Sequence, residues 1–176
     1  VLWRTASVGQ NISTGLDCLV NNSSNSCRTG FSIPANQVTI YTNQTQYMRT
    51  NWLLEYRGNP GWYGKVNDFV TQVNQRQSQF DILTYKQSYV DDSTISRFWN
   101  RAYTGPDISN LEQLEVAYPS KRFVYMTAAV AKLDQAHITE WNTNMRNYAT
   151  STQRILFDLA DIETHRPNGS SCGTTM

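Results

Sequence analysis

Three short apolar stretches decide the fold: residues 81–85 (DILTY), 122–127 (RFVYMT) and 154–159 (RILFDL). Each is a compact run of mostly apolar residues, which is typical of a strand that is buried on both faces of a parallel sheet. Further strands are predicted over residues 1–7 and 37–42. The apolar spacing between these strands is helical, so strands and helices alternate along the chain.

Amphipathic helices are predicted where apolar residues recur at intervals of three and four positions. The clearest covers about residues 136–150, where Ile138, Trp141, Met145 and Tyr148 share one face. Similar stripes occupy residues 8–20, 66–80, 95–102 and 108–114. The alternation predicts a single α/β domain over residues 1–176, a three-layer α/β/α sandwich with a parallel, flavodoxin-like sheet.

The composition is that of a polar chain with little charge. Its 176 residues include 16 Asn, 12 Gln, 15 Ser and 19 Thr, whereas charged residues make up 16% and the net charge is +1. The near-neutral balance excludes the basic surface that marks a nucleic-acid-binding protein. No apolar run approaches the roughly 18 residues of a membrane span. We therefore expect neither a nucleic-acid partner nor a membrane span, and a homo-oligomer stays open.

Three cysteines, Cys18, Cys27 and Cys172, bear on the compartment of the protein. The odd count leaves one of them outside any internal pair. Cys18 and Cys27 are near enough in sequence to close a short loop, but the spacing does not fix the pairing. It also matches no zinc site, and the chain has only two histidines. We expect no metal and no cofactor.

The N-x-S/T pattern occurs at five asparagines, and glycan acceptors are predicted at four of them: Asn21, Asn22, Asn43 and Asn168. A chain this rich in Asn, Ser and Thr also produces such triplets by chance. Composition, sequons and cysteines together favour a secreted or extracellular glycoprotein that carries N-linked glycans.

Residues that follow the predicted strands form the candidate site, because parallel sheets bind ligands outside the carboxyl ends of their strands. These positions hold Ser7 and Gly9 after the first strand, Lys86, Tyr89 and Asp91 after the DILTY strand, and Asp158, Asp161 and His165 after the last strand. A serine, a lysine, carboxylates and a histidine are thus expected at one edge of the sheet.

Each of these residues has both a catalytic and a structural interpretation. Ser7 stands where a strand turns into a helix, which suits a nucleophile beside an oxyanion-stabilising helix start, but also an ordinary N-cap. His165 follows Asp161 by four residues, which suits a base and its orienting carboxylate, but also an exposed loop histidine. Lys86 either holds a substrate anion or forms a structural ion pair with Asp91 or Asp158.

Five segments in order along the chain resemble a secreted branch of the SGNH (GDSL-like) hydrolases: residues 6–16 (ASVGQNISTGL), 58–62 (GNPGW), 80–91 (FDILTYKQSYVD), 118–119 (YP) with 123–127 (FVYMT), and 155–163 (ILFDLADIE). The resemblance implies the three-layer sandwich and hydrolysis of a small-molecule or carbohydrate ester, or of a lipid ester. Ser7 is then the nucleophile, and its N–H with Gly61 or a neighbour supplies oxyanion donors. Gly9, Lys86 and Tyr89 are the other expected oxyanion or substrate-binding residues.

The chain also departs from that family pattern. Thr5 stands where the branch usually has histidine, and no Gly-x-Asn-Asp block is present. The family's Asp-Gly-x-His-Leu segment, which supplies the Asp–His pair, does not occur in the sequence, so we expect either a domain truncated at its C-terminus or a domain that has lost the catalytic histidine. Asp161 and His165 are the substitutes for that pair. The alternative function is a non-catalytic extracellular glycoprotein module that keeps the fold for carbohydrate binding or assembly.

Overall fold

A computed structural model describes residues 1–5, 9, 12, 15, 53–88, 91, 93–130, 135–166 and 168–171. The chain divides into two compact units, an N-terminal unit (residues 1–57) and a C-terminal unit (residues 58–176). The predicted strand over 37–42 lies outside the described residues, and so does most of the predicted helix over 8–20. The prediction of a single domain stays a prediction.

The N-terminal unit contains two parallel strands, β1 (Leu2–Thr5) and β2 (Leu53–Tyr56). Leu2 lies opposite Leu53, and Arg4 Nη1 donates to Glu55 Oε2 at 2.7 Å, so an ion pair adds to the backbone ladder. β1 confirms the strand predicted at the start of the chain. β2 was not predicted, because its apolar residues are few and its partner strand is distant in sequence.

The C-terminal unit alternates helices and strands, as the sequence predicts. Its elements in order are α1 (Trp62–Arg76), a 3₁₀ turn (Gln77–Gln79), β3 (Ile82–Lys86), a 3₁₀ helix (Ser93–Trp99), α2 (Ile108–Ala117), β4 (Arg122–Met126), α3 (Gln135–Ser151), β5 (Ile155–Phe157) and α4 (Leu159–Thr164). In the described part of the chain, no helix combines the length and the apolar character needed to cross a membrane.

Strands β3, β4 and β5 pair side by side, and both pairings are parallel. Tyr85 lies opposite Tyr125, and Met126 lies opposite Phe157. Parallel neighbours require crossover connections, which α2 and α3 supply here. The predicted α/β class with parallel strands is confirmed.

An aromatic layer packs the helices against the strands of the C-terminal unit. The ring of Tyr85 contacts Phe69 of α1 at 5.2 Å between centroids and stacks on Phe98 at 5.7 Å. Tyr125 on β4 meets Tyr148 of α3 edge-on at 5.5 Å. All five rings are buried, and such pairs stabilise a core beyond their area alone, by about 0.5–1.5 kcal/mol each.

The sequence pattern was right about the side of α3 that faces the core. Ile138, Trp141, Met145 and Tyr148 are all buried. The stripe at 95–102 was only partly right, because Ile95 and Phe98 are buried on a 3₁₀ helix that ends at Trp99. An interval of three residues suits both kinds of helix, so the pattern could not separate them.

Candidate functional site

The carboxyl ends of β3, β4 and β5 bring polar residues to one edge of the sheet in the C-terminal unit. Lys86 ends β3 and Gln87 follows it, Thr127 follows β4, and Asp158 follows β5. Because the three strands are parallel, these positions share one edge, where the sequence placed the candidate site.

Asp158 fixes the connection from β5 to α4. Its carboxylate accepts hydrogen bonds from Arg146 Nε at 2.6 Å and Nη2 at 2.9 Å, and from Thr127 Oγ1 at 3.0 Å. It also accepts from Asp161 N at 3.2 Å and so caps α4. Partial burial opposes the charged form, but the Arg146 hydrogen bonds prevail and hold the pKa of Asp158 below its ordinary value. Asp158 therefore acts as a cap and an ion-pair partner.

Asp161 and His165 meet at the end of α4. His165 Nδ1 lies 2.9 Å from Asp161 Oδ1, and the side chains are 42% and 58% exposed. The helix carries the pair because residues four apart lie on one helical face. Nδ1 also contacts Thr164 Oγ1 at 3.0 Å. With Nδ1 engaged by these oxygens, Nε2 is the ring nitrogen that remains for proton transfer.

A short hairpin holds His165 and the residue after it. His165 and Ser171 form an antiparallel bridge, and Arg166 N donates to Ser170 O at 2.8 Å. Gly169 N returns a hydrogen bond to Arg166 O at 2.8 Å, and its φ of 79° lies in the left-handed region that favours glycine. The hairpin fixes the backbone on both sides of the histidine ring.

An open cavity of about 500 Å³ adjoins this hairpin, and it is lined by Asp161, Ile162, His165, Arg166 and Gly169. A cavity of this volume is within the range of small-molecule sites, about 300–1,000 Å³. The histidine–aspartate pair therefore faces a space that a small ligand can occupy. Arg166 and Ile162 give that space one cationic and one apolar group.

A second polar centre is buried near the end of β3, and sequence reasoning missed half of it. Lys65 on α1 places its Nζ 2.5 Å from Asp91 Oδ1, with side chains that are 0% and 2% exposed. Asp91 Oδ2 also accepts from Ser88 N at 3.0 Å. The sequence does carry a signal for the burial of Lys65, since Lys65 stands three residues after Trp62 and four before Phe69, on the buried face of α1.

The predicted partners of Lys86 are engaged with other cations. Asp91 pairs with Lys65, and Asp158 pairs with Arg146. Lys86 itself is buried, and its Nζ donates to Gln87 O at 3.0 Å. Its position at the carboxyl end of β3 agrees with the sequence prediction, and its role in holding a substrate stays a prediction.

The other histidine of the chain, His137 on α3, is half-buried. It lines a very small cavity, about 10 Å³, together with Ser88, Asp91 and Trp141. Such a volume is close to that of a single water probe and is too small for a substrate. The cavity of the Asp161–His165 pair is therefore the better candidate site.

Several predicted site residues lie outside the described residues: Ser7, Tyr89, Asn21, Asn22, Asn43 and the three cysteines. Gly9 is buried in the N-terminal unit, and Gly61 directly precedes α1, where its carbonyl accepts from Lys65 N at 3.2 Å. Asn168 is exposed on the hairpin, and its Oδ1 accepts from Ser170 N at 3.0 Å. Its side chain is accessible, as a glycan acceptor requires.

Two aromatic residues at the start of α1, Trp62 and Tyr63, differ in their exposure. Trp62 is 2% exposed and donates Nε1 to Thr94 Oγ1 at 2.8 Å, so it belongs to the core. Tyr63 beside it is 56% exposed. Within the described ranges, no group of three or more His, Cys, Asp or Glu side chains is arranged to hold a metal ion.

Comparison of the chain with protein-family models, with curated protein sequences and with solved structures finds no match.

Proposed function

We propose that the protein is a secreted serine ester hydrolase of the SGNH type, in which Ser7 is the nucleophile, His165 the base and Asp161 the residue that orients the base. The observation that carries the proposal is the 2.9 Å contact between His165 Nδ1 and Asp161 Oδ1 at the wall of the 500 Å³ cavity. The contact supports the proposal because a serine hydrolase needs a carboxylate that fixes the tautomer and direction of its imidazole.

The chemistry follows the usual two steps of acyl transfer. Ser7 Oγ attacks the ester carbonyl carbon while its proton passes to His165 Nε2, and the ester C–O bond breaks as the alcohol leaves with that proton. Water then attacks the acyl carbon of acyl-Ser7 and gives a proton to His165, and the carboxylic acid leaves as Ser7 regains its proton. Asp161 stabilises the imidazolium in both steps.

A fluorophosphonate probe tests the proposal, because an activated serine displaces its fluoride and forms a stable adduct. The folded full chain is incubated with the probe, and the adduct is located by mass spectrometry. We expect one adduct, on Ser7, and none in Ser7→Ala. His165→Gln is expected to slow labelling by about 10²-fold or more, the usual contribution of a general base.

Matched controls separate the chemistry from damage to the fold. Ser96→Ala changes an exposed serine whose hydroxyl donates to Ser93 O, and His137→Gln changes the other histidine. Both variants are expected to label at the rate of the unmodified chain. Absence of labelling in a folded sample, or labelling that persists in Ser7→Ala, would contradict the esterase and favour the non-catalytic glycoprotein module.

Secretion and glycosylation are part of the same proposal. The exposed Asn168 in the Asn-Gly-Ser sequon supports them, since a glycan acceptor must be accessible. Expression through a eukaryotic secretory pathway, followed by enzymatic removal of N-glycans, is expected to lower the mass of the protein. In Asn168→Gln, we expect this loss of mass to be smaller by the mass of one glycan. An unchanged mass would contradict this part of the proposal.

A further inference from the structure

We propose that the cavity beside His165 selects esters that also carry a carboxylate, and that Arg166 is the residue that holds this carboxylate. The inference names the substrate class of the proposed hydrolase and depends on that proposal for the ester group. The binding of the carboxylate does not depend on the proposed hydrolase, because Arg166 lies in the cavity whether or not Ser7 reacts.

Arg166 is the cation of this cavity, and its backbone is fixed on both sides of the side chain. Its N–H donates to Ser170 O and its carbonyl accepts from Gly169 N, each at 2.8 Å. Among the described residues, no carboxylate pairs with its guanidinium, in contrast to Arg146 and Arg154, which pair with Asp158 and Glu115. An exposed arginine on this hairpin can therefore bind an incoming anion.

The charges around Arg166 favour a single carboxylate over a dianion. Asp161 lines the same cavity and is negative, and Glu163, on the same short helix, accepts a hydrogen bond from Val130 N at 2.7 Å. The Asp161 carboxylate in the same cavity opposes a doubly charged phosphate more than it opposes a monoanion. The planar guanidinium also matches a carboxylate through two parallel hydrogen bonds.

The remaining wall suits a short aliphatic segment between the ester and the anion. Ile162 is 58% exposed and offers the cavity an apolar surface. Gly169 presents no side chain, and a Cβ built there would meet nothing within 4 Å, so this side of the cavity is open. A half-ester of a short dicarboxylic acid combines the required ester, aliphatic and carboxylate groups.

Binding is tested first, without any requirement for catalysis. Amide resonances of the ¹⁵N-labelled full chain are titrated with monomethyl succinate, an anion, and with dimethyl succinate, its neutral counterpart. We expect the monoester to shift the Arg166 and Gly169 amides and to bind at least about tenfold more tightly, as hydrogen bonds between charged groups predict. Arg166→Gln is expected to remove this preference, and Arg166→Lys to keep part of it.

Arg122→Gln is the matched control, because Arg122 is exposed at the opposite, amino end of β4. It is expected to retain the full preference for the monoester. Equal affinity for the two succinates, a preference that survives in Arg166→Gln, or a loss in Arg122→Gln as large as that in Arg166→Gln would each overturn the inference.

Hydrolysis provides the second measurement and separates the two proposals. The ratio of kcat/KM for mono-4-nitrophenyl succinate to that for methyl 4-nitrophenyl succinate is expected to fall at least about tenfold in Arg166→Gln. Anion-selective binding without any turnover would contradict the proposed hydrolase and support the role of Arg166. Turnover with no preference for the anionic ester would contradict the role of Arg166 and support the hydrolase.

Discussion

Replacement of Lys65 by methionine tests the contribution of the buried ion pair to stability. Methionine keeps most of the aliphatic volume but leaves the Asp91 carboxylate, whose side chain is 2% exposed, without the Nζ that lies 2.5 Å away. Loss of one member of a buried pair costs about 3–5 kcal/mol. Asp91 retains the 3.0 Å hydrogen bond from Ser88 N. We therefore expect the lower end of that range, about 3 kcal/mol.

Urea unfolding followed by tryptophan fluorescence measures this loss. With a dependence of about 2 kcal/mol per molar urea, a loss of about 3 kcal/mol moves the midpoint down by about 1.5 M. The double variant Lys65→Met/Asp91→Asn is expected to recover at least half of the loss, because no unpaired charge remains buried. The double-mutant cycle then gives the coupling between the two side chains.

Lys121→Met is the matched control, because Lys121 Nζ lies 4.0 Å from the fully exposed carboxylate of Asp81. An ion pair of this kind contributes little, so we expect no resolvable shift of the midpoint. Equal free energies of unfolding for Lys65→Met and Lys121→Met would refute the reasoning. A double variant as unstable as Lys65→Met would show that lost packing, not the unpaired charge, is the cause.

Three further predictions follow from other contacts. Because Arg146 holds the folded-state pKa of Asp158 below its ordinary value, we expect the unmodified chain to be more stable than Asp158→Asn, fully so above about pH 4 and less so as the pH falls through that lower pKa. Urea midpoints measured across pH test this expectation, and a difference in stability that does not change with pH would contradict it. Asp107 caps α2 by accepting a hydrogen bond from Ser109 N at 2.8 Å, so Asp107→Ala is expected to lower the free energy of unfolding by about 1–2 kcal/mol in the same assay. A loss no larger in Asp107→Ala than in Asp107→Asn would contradict the role of this cap. Burial raises the pKa of Tyr125 well above its ordinary value, so Tyr125→Phe is expected to leave the ultraviolet titration of the folded protein unchanged up to alkaline unfolding. The loss of one titrating tyrosine in this variant would contradict the prediction.

The strands and helices of the C-terminal unit were predictable to the extent that their signals are local. The stripe from Ile138 to Tyr148 fixes a helix because four buried positions repeat at helical intervals. The observed helix, Gln135–Ser151, exceeds the predicted range of about 136–150 by one residue at each end. β2 was missed because four residues carry little pattern of their own and become a strand by pairing with β1. α4 was also missed, although an aspartate at position 158 is an N-cap signal.

The site was predictable where sequence spacing and spatial contact coincide. Asp161 and His165 are four residues apart, so a single helical turn turns their spacing into a contact. The partner of Asp91 could not be deduced in the same way, because Lys65 comes from another element and only tertiary packing brings the two together. Arg166 drew no attention as a ligand, because an isolated arginine carries no motif.

The position of His165 depends on contacts that sequence motifs do not record. A helix of six residues is marginal by itself, so α4 requires support at its start and its end. At the start of α4, Arg146 and Thr127 hold the Asp158 cap in place. At its end, the bridge from His165 to Ser171 fixes the backbone. The orientation of the histidine ring is therefore set by β4, α3 and the hairpin together. Arg146 therefore supports the contact between Asp161 and His165 through the Asp158 cap.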